Sequence, residues 1–223
     1  HLERLRRASI RLFGRALPDE VVRARLRAAI AAGPADLSLT AVMHSAEGEF
    51  TRAGLGSDPE ILVRTGPAAS GPRGPLALAA VEHERTRPSL KHVGEIAKTH
   101  SLRRAAAAGF DDAAFVDRRG RLGEATIWNL AFWDGTAVVW PRAEVLAGTT
   151  MGILRRRLDS LGVPQREREI RLDDLPGLSG AVVMNSWTPG VAVRRIGEVD
   201  LPEAPSMIEL LHRAYRAEPL TSP

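Results

Sequence analysis

The chain has 223 residues, 44% of them hydrophobic and 26% charged, so it is long enough to bury a real core and too apolar for general disorder. It contains no cysteine, which excludes disulfides, thiolate catalysis and cysteine-ligated zinc or iron–sulfur sites and suits a reducing cytoplasm. The formal charge of +4 does not mark a nucleic-acid binder, because arginines alternate with acids as in Glu167-Arg168-Glu169 and only the opening segment is densely basic.

The chain opens at His1 inside a helical pattern with Leu2, Leu5, Ile10 and Leu12-Phe13 on one side, so further chain upstream is expected. Pro18-Asp19-Glu20 starts a second helix to about Ile30, with acids in its first turn, and Gly33-Pro34 stops it. Extended stretches at Leu37 to Met43, Glu60 to Thr65 and Leu76 to Val81 follow, separated by Gly- and Pro-rich segments, and are expected to share one sheet. His83 to Pro88 reads as a linker. A helix is predicted from about Val93 to Ala108, stopped by Gly109, then a short strand at Ala113 to Val116. Ile127 to Phe132 and Ala137 to Trp140 flank Asp134-Gly135, a strong hairpin signal. After Gly148 the pattern predicts a helix to Leu161, strands at Arg168 to Arg171, Ala181 to Met184 and Val191 to Ile196, and a last helix near Met207 to Ala217. No stretch is long and apolar enough for a membrane span, and no signal peptide opens the chain.

Of the 31 basic side chains only two, Lys91 and Lys98, are lysine. Lysine can do amine chemistry and arginine cannot, so both lysines are candidates for a chemical role, against simple chance retention.

The segment Leu90-Lys91-His92, an Ala-rich helix and then Gly109-Phe110-Asp111-Asp112-Ala113-Ala114 resemble the lysine segment and following strand of the fold-type IV pyridoxal-phosphate family. That family includes branched-chain aminotransferases, D-amino-acid aminotransferases and aminodeoxychorismate lyases. The spacings from Lys91 to Asp117 and from Asp117 to Glu124 are similar to those of the lyase branch, and the likeness covers nearly the whole chain.

The resemblance implies a two-lobed α/β (α+β) fold. A small N-terminal α/β lobe would span residues 1–85, with its upstream strands missing from this sequence. A linker would cover 86–90, and a larger β-barrel-like, cofactor-binding lobe 91–223. It implies pyridoxal 5′-phosphate as cofactor, held as a Schiff base by Lys91, whose amine then carries protons for the substrate's α-carbon. Glu124, in Gly123-Glu124-Ala125-Thr126-Ile127-Trp128-Asn129-Leu130, would stabilise the protonated ring nitrogen, the other reading being a surface acid at a strand start. Gly148, Thr149 and Thr150 look like the family's phosphate-binding helix start, although Met151 stands where the family has arginine. Ser186 and Trp187 match a second phosphate contact, with Trp187 either shaping the pocket or serving as a core aromatic. His1-Leu2-Glu3-Arg4-Leu5 resembles a helix whose arginine, here Arg4, pairs with the phosphate. Lys98, seven residues beyond Lys91, falls outside the motif and is expected to be solvated.

Branched-chain enzymes carry Asn-Tyr where this chain has Glu95 and Ile96, which weakens that branch. The leading expectation is an aminotransferase with an amino donor and a keto acid acceptor, cytoplasmic and homodimeric, without nucleic-acid or membrane partners. Aminodeoxychorismate lyase, releasing pyruvate and 4-aminobenzoate, is the alternative. A family member that has lost catalysis and acts as a binding protein is the third.

Overall fold

The computed structural model describes residues 1–48, 51–52 and 55–223, which form two compact units: His1–Ser70 with Leu220–Pro223, and Gly71–Pro219. The boundary differs from the one read at residue 85. The strand at Leu76–Glu82, assigned above to the first lobe, hydrogen-bonds only within the second unit's sheet.

In the first unit, helices α1 (Leu2–Phe13) and α2 (Asp19–Ala31) lie with an antiparallel pair, β1 (Leu37–Ser45) and β2 (Pro59–Pro67), in register from Leu37 opposite Pro67 to Ser45 opposite Pro59. Gly14 ends α1 in the left-handed conformation (φ 74°), which favours glycine. On α2, Val22 and Leu26 are four positions apart, share one face and are buried. The chain's C-terminal end is tied to the same helix, where Arg23 donates to the Ser222 carbonyl (3.0 Å) and Arg27 to the Pro223 carbonyl (2.7 Å).

The second unit is a closed barrel. Strands β3 (Leu76–Glu82), β4 (Asp112–Val116), β5 (Leu122–Ala125), β6 (Asn129–Trp133), β9 (Gly180–Asn185) and β10 (Thr188–Ile196) pair in that order, and β10 closes the ring onto β3. The β3–β4 and β10–β3 contacts are parallel and the others antiparallel. Strand β7 (Val138–Pro141) extends from β6, β8 (Gln165–Arg168) from β7, and β11 (Val199–Asp200) from β10. Residues 172–177, just past the strand predicted to end at Arg171, form a 3-10 turn.

Strands β6 and β9 carry apolar residues on both faces because both faces are covered. Along β6, Leu130 and Phe132 join the interior cluster with Leu78, Leu122 and Val193, while Ala131 between them faces α4 (Thr149–Ser160) and α5 (Pro205–Arg216). Along β9, Ala181 and Val183 point inward and Val182 and Met184 outward, the period of two expected of a strand. Leu154, Leu158, Met207 and Leu211 complete the outer cluster, and α3 (Ile96–Ala107) covers β4 through Ala105, Ala113 and Phe115.

Candidate functional site

Asp112, at the start of β4, is buried and accepts three hydrogen bonds. Its Oδ1 takes the Ala113 amide and the Thr126 hydroxyl, both at 2.6 Å, and its Oδ2 takes Trp128 Nε1 at 2.8 Å. A buried carboxylate is tolerated only when so satisfied. These bonds fix residues 126–128, which join β5 to β6, and so set Glu124 opposite Asn129.

That pair then grips one backbone unit. Asn129 Nδ2 donates to the Leu146 carbonyl (2.7 Å), and the Leu146 amide donates to Glu124 Oε2 (3.2 Å). Two residues on, a Cβ at Gly148 would lie 2.0 Å from Asn129 Oδ1, so the close approach of backbone to amide requires glycine. Gly148 is the N-cap of α4, with no side-chain cap, leaving the amides of Thr149 and Thr150 at a helix start that favours anions. The Thr150 hydroxyl donates to the Asn185 carbonyl (2.8 Å), joining the start of α4 to the end of β9. Asn185 pairs with Thr188 across the two-residue turn Ser186-Trp187, and its Oδ1 accepts the Trp187 amide. Glu124, Gly148, Thr149, Thr150, Ser186 and Trp187 are thus linked through one chain of hydrogen bonds and turns. Trp187 is 49% exposed, with its ring edge-on to Trp128 at 5.9 Å, which removes the core-aromatic reading.

Of the two lysines, Lys98 is placed differently from expectation. Lys98 is buried, not solvated. Its Nζ donates to Glu124 Oε1 (2.9 Å), lies 3.6 Å from Glu95 and sits over the Phe115 ring at 5.7 Å. The buried face of α3 runs Lys98, Ser101, Ala105, a helical spacing readable in the sequence but carrying polar residue types that do not advertise burial. Lys91 is exposed, in the irregular segment between β3 and α3. Its neighbour Leu90 is buried, and Arg85 bridges from there to the carboxylate, donating to the Leu90 carbonyl (2.9 Å) and to Glu124 Oε1 (3.4 Å) while pairing with Glu95 at 2.7 Å. Arg85, Asp112 and Asn129 were not among the expected site residues. Arg4 is half-buried on α1 of the first unit.

A cavity of about 380 Å³ opens beside Glu124, lined by His83, Arg85, Phe115, Gly123 and Val145 among others, within the range of small-molecule sites. The His83 ring packs against Phe115 at a tilt of 55° (4.5 Å between centroids), and its Nε2 is buried with no hydrogen-bond partner. Burial, and then the nearby Lys98 cation, hold its imidazole below the ordinary value despite the opposing pull of Glu95 and Glu124.

A closed barrel flanked by helices, with a helix start beside a strand turn at its rim, is the architecture of the fold-type IV enzymes. The model of the class IV amino-transferase family matches residues 1–196, and the chain belongs to that family. Among solved structures it is similar to a protein assigned as a 4-amino-4-deoxychorismate lyase from Legionella pneumophila (TM-score 0.84, 19% identity, covering 98% of this chain and 84% of the other). It is also similar to the branched-chain aminotransferase of Thermoproteus uzoniensis solved with norvaline (TM-score 0.82, 19% identity, 97% and 77% covered). A third is a hypothetical aminotransferase from Mycobacterium tuberculosis in its PLP-bound form (TM-score 0.77, 22% identity, 97% and 81% covered). A search of the curated proteins found no match.

Proposed function

We propose that the chain is a pyridoxal-phosphate-dependent aminotransferase that moves an amino group between an amino acid or amine and a keto acid, with Lys91 holding the cofactor covalently through its amine. The observation that carries the reading is the buried Glu124 carboxylate, linked through the Leu146 backbone to the start of α4. The donor set suits such a cofactor. A carboxylate accepts at about four positions, and Glu124 has three donors: Lys98 and Arg85 on Oε1, and the Leu146 amide on Oε2. One position on Oε2 remains for a ring N–H. The amides of Thr149 and Thr150, with the Ser186 hydroxyl, suit a phosphate dianion.

When bound, pyridoxal phosphate supplies an electron sink for charge at the substrate's α-carbon. The chain's own residues would hold it there: Glu124 at the ring nitrogen, and Gly148 to Thr150 and Ser186 at the phosphate, with Trp187 next to Ser186 on the turn between β9 and β10. The Lys91 amine moves the proton at the α-carbon. Arg85 supports this role, since one guanidinium bridges Glu124 to the carbonyl of the residue before Lys91. A homodimer in the cytoplasm is part of the same proposal.

With only two lysines in the chain, the test is clean. Borohydride reduction of the holoprotein and peptide mapping should find the cofactor on Lys91. Attachment to Lys98, or none at all, overturns the reading.

A second reading is 4-amino-4-deoxychorismate lyase, favoured by the likeness to the Legionella protein. Pyruvate release from aminodeoxychorismate without a keto acid acceptor would select it. Amino transfer that requires a keto acid would select the aminotransferase.

A further inference from the structure

Lys98 is a buried cation outside the motif that marks Lys91, and nothing in the proposed chemistry uses it. Its ammonium donates to Glu124 Oε1 at 2.9 Å and lies 3.6 Å from Glu95, with Phe115 beneath it. Arg85 contacts the same two carboxylates, at 3.4 Å and 2.7 Å. Two cations therefore face two carboxylates in this cluster, which is electrically balanced, and burial and the Lys98 cation both disfavour a charge on His83 beside it. A protonated pyridine ring brought to Glu124 adds a third cation to this cluster.

We infer that Lys98 is a positioning residue that competes with the cofactor's ring nitrogen for Glu124: it holds the Glu124 carboxylate in place, and its charge weakens the hold of the carboxylate on the ring. This rests on the proposed function only in placing the ring nitrogen at Glu124. Within such a cluster a unit charge a few ångströms away is felt strongly, so removing it changes cofactor affinity measurably. A lysine that merely packed the helix would, on removal, loosen the site and weaken binding.

The experiment compares cofactor dissociation constants, by absorbance titration of the cofactor-free protein, for wild type, Lys98→Met, Lys98→Arg and Glu124→Gln, with melting temperatures before and after loading. Lys98→Met is expected to lower the melting temperature of the cofactor-free protein while tightening cofactor binding about tenfold. Lys98→Arg, which keeps the cation, should bind as wild type does. Lys98→Gln replaces Lys98→Met if that variant does not fold. Unchanged or weaker binding in the uncharged variant, with Glu124→Gln clearly weakened, overturns the inference alone. If Glu124→Gln binds as tightly as wild type, the placing of the ring at Glu124 fails first.

Discussion

Glu124 and Asn129, opposite one another on β5 and β6, hold the two polar groups of a single residue, the amide and the carbonyl of Leu146. Through that grip a barrel strand pair sets where α4 begins. It also explains the glycine at position 148, whose backbone runs against the Asn129 side chain.

Gly148→Ala should therefore damage the site while sparing the fold. The added methyl would overlap Asn129 Oδ1, so either the amide or the 146–148 backbone must shift. We expect cofactor affinity, read by absorbance titration, to fall at least about tenfold with little change in far-ultraviolet circular dichroism, since small displacements at a positioning element are costly. Asn129→Ala in the same chain should restore part of the loss by making room.

Asp112→Asn keeps the shape but turns one acceptor into a donor facing another donor. The two Asp112 oxygens serve the Ala113 amide, the Thr126 hydroxyl and Trp128 Nε1, so at least one buried donor loses its partner. A loss of about 1–3 kcal/mol is expected from urea unfolding, with a red shift in tryptophan emission.

Among the groups that make stability fall on the acid side are His83 and Asp134. His83 is held below its ordinary value of 6.5 by burial and by Lys98. Below pH 6.5 the unfolded chain takes up a proton that folded His83 resists, so its contribution is whole above that pH and declines beneath it. For Asp134, burial alone would raise the carboxyl, but the Thr136 and Ala137 amides, the Thr136 hydroxyl and Arg166 bring it from 3.8 down to about 2. Its stabilisation is present above pH 3.8 and is lost as the pH falls toward 2. Melting temperatures should decline less between pH 7 and 5.5 in His83→Gln, and less between pH 4 and 2.5 in Asp134→Asn. Parallel curves for a variant and wild type would remove that residue from the account.

Leu158→Ala should be among the most damaging apolar truncations. The side chain is fully buried where α4 meets Val182 and Met184 of β9, and Leu→Ala changes in such positions cost about 2–5 kcal/mol. Urea unfolding with an unchanged m-value is the measurement that checks it.

Much of this was legible in the chain itself. The hairpin at Asp134-Gly135, the α4 start after Gly148 and the existence of strands at β9 and β10 follow from local chemistry: turn residues, a helix start and apolar extended runs. Glu124 and the Gly148-Thr149-Thr150 segment could be singled out because motifs preserve backbone geometry over a few residues. The misassigned β3 shows the limit. Its own residues make a good strand, but which sheet it joins depends on β4 and on β10, more than a hundred residues away, and pairing energy does not appear in a local pattern.

Sequence alone determined that Lys91 and Lys98 are the only amines on lysine side chains and that Lys91 stands in a family motif. Tertiary structure alone decided that Lys98 is buried against Glu124, that Arg85 bridges Glu124 to Leu90, and that Asp112 and Asn129 organise the strands around them. The reason is physical: a motif records which covalent chemistry is possible, whereas burial and ion pairing arise from closure of the barrel, which brings residues far apart in the chain within hydrogen-bonding distance.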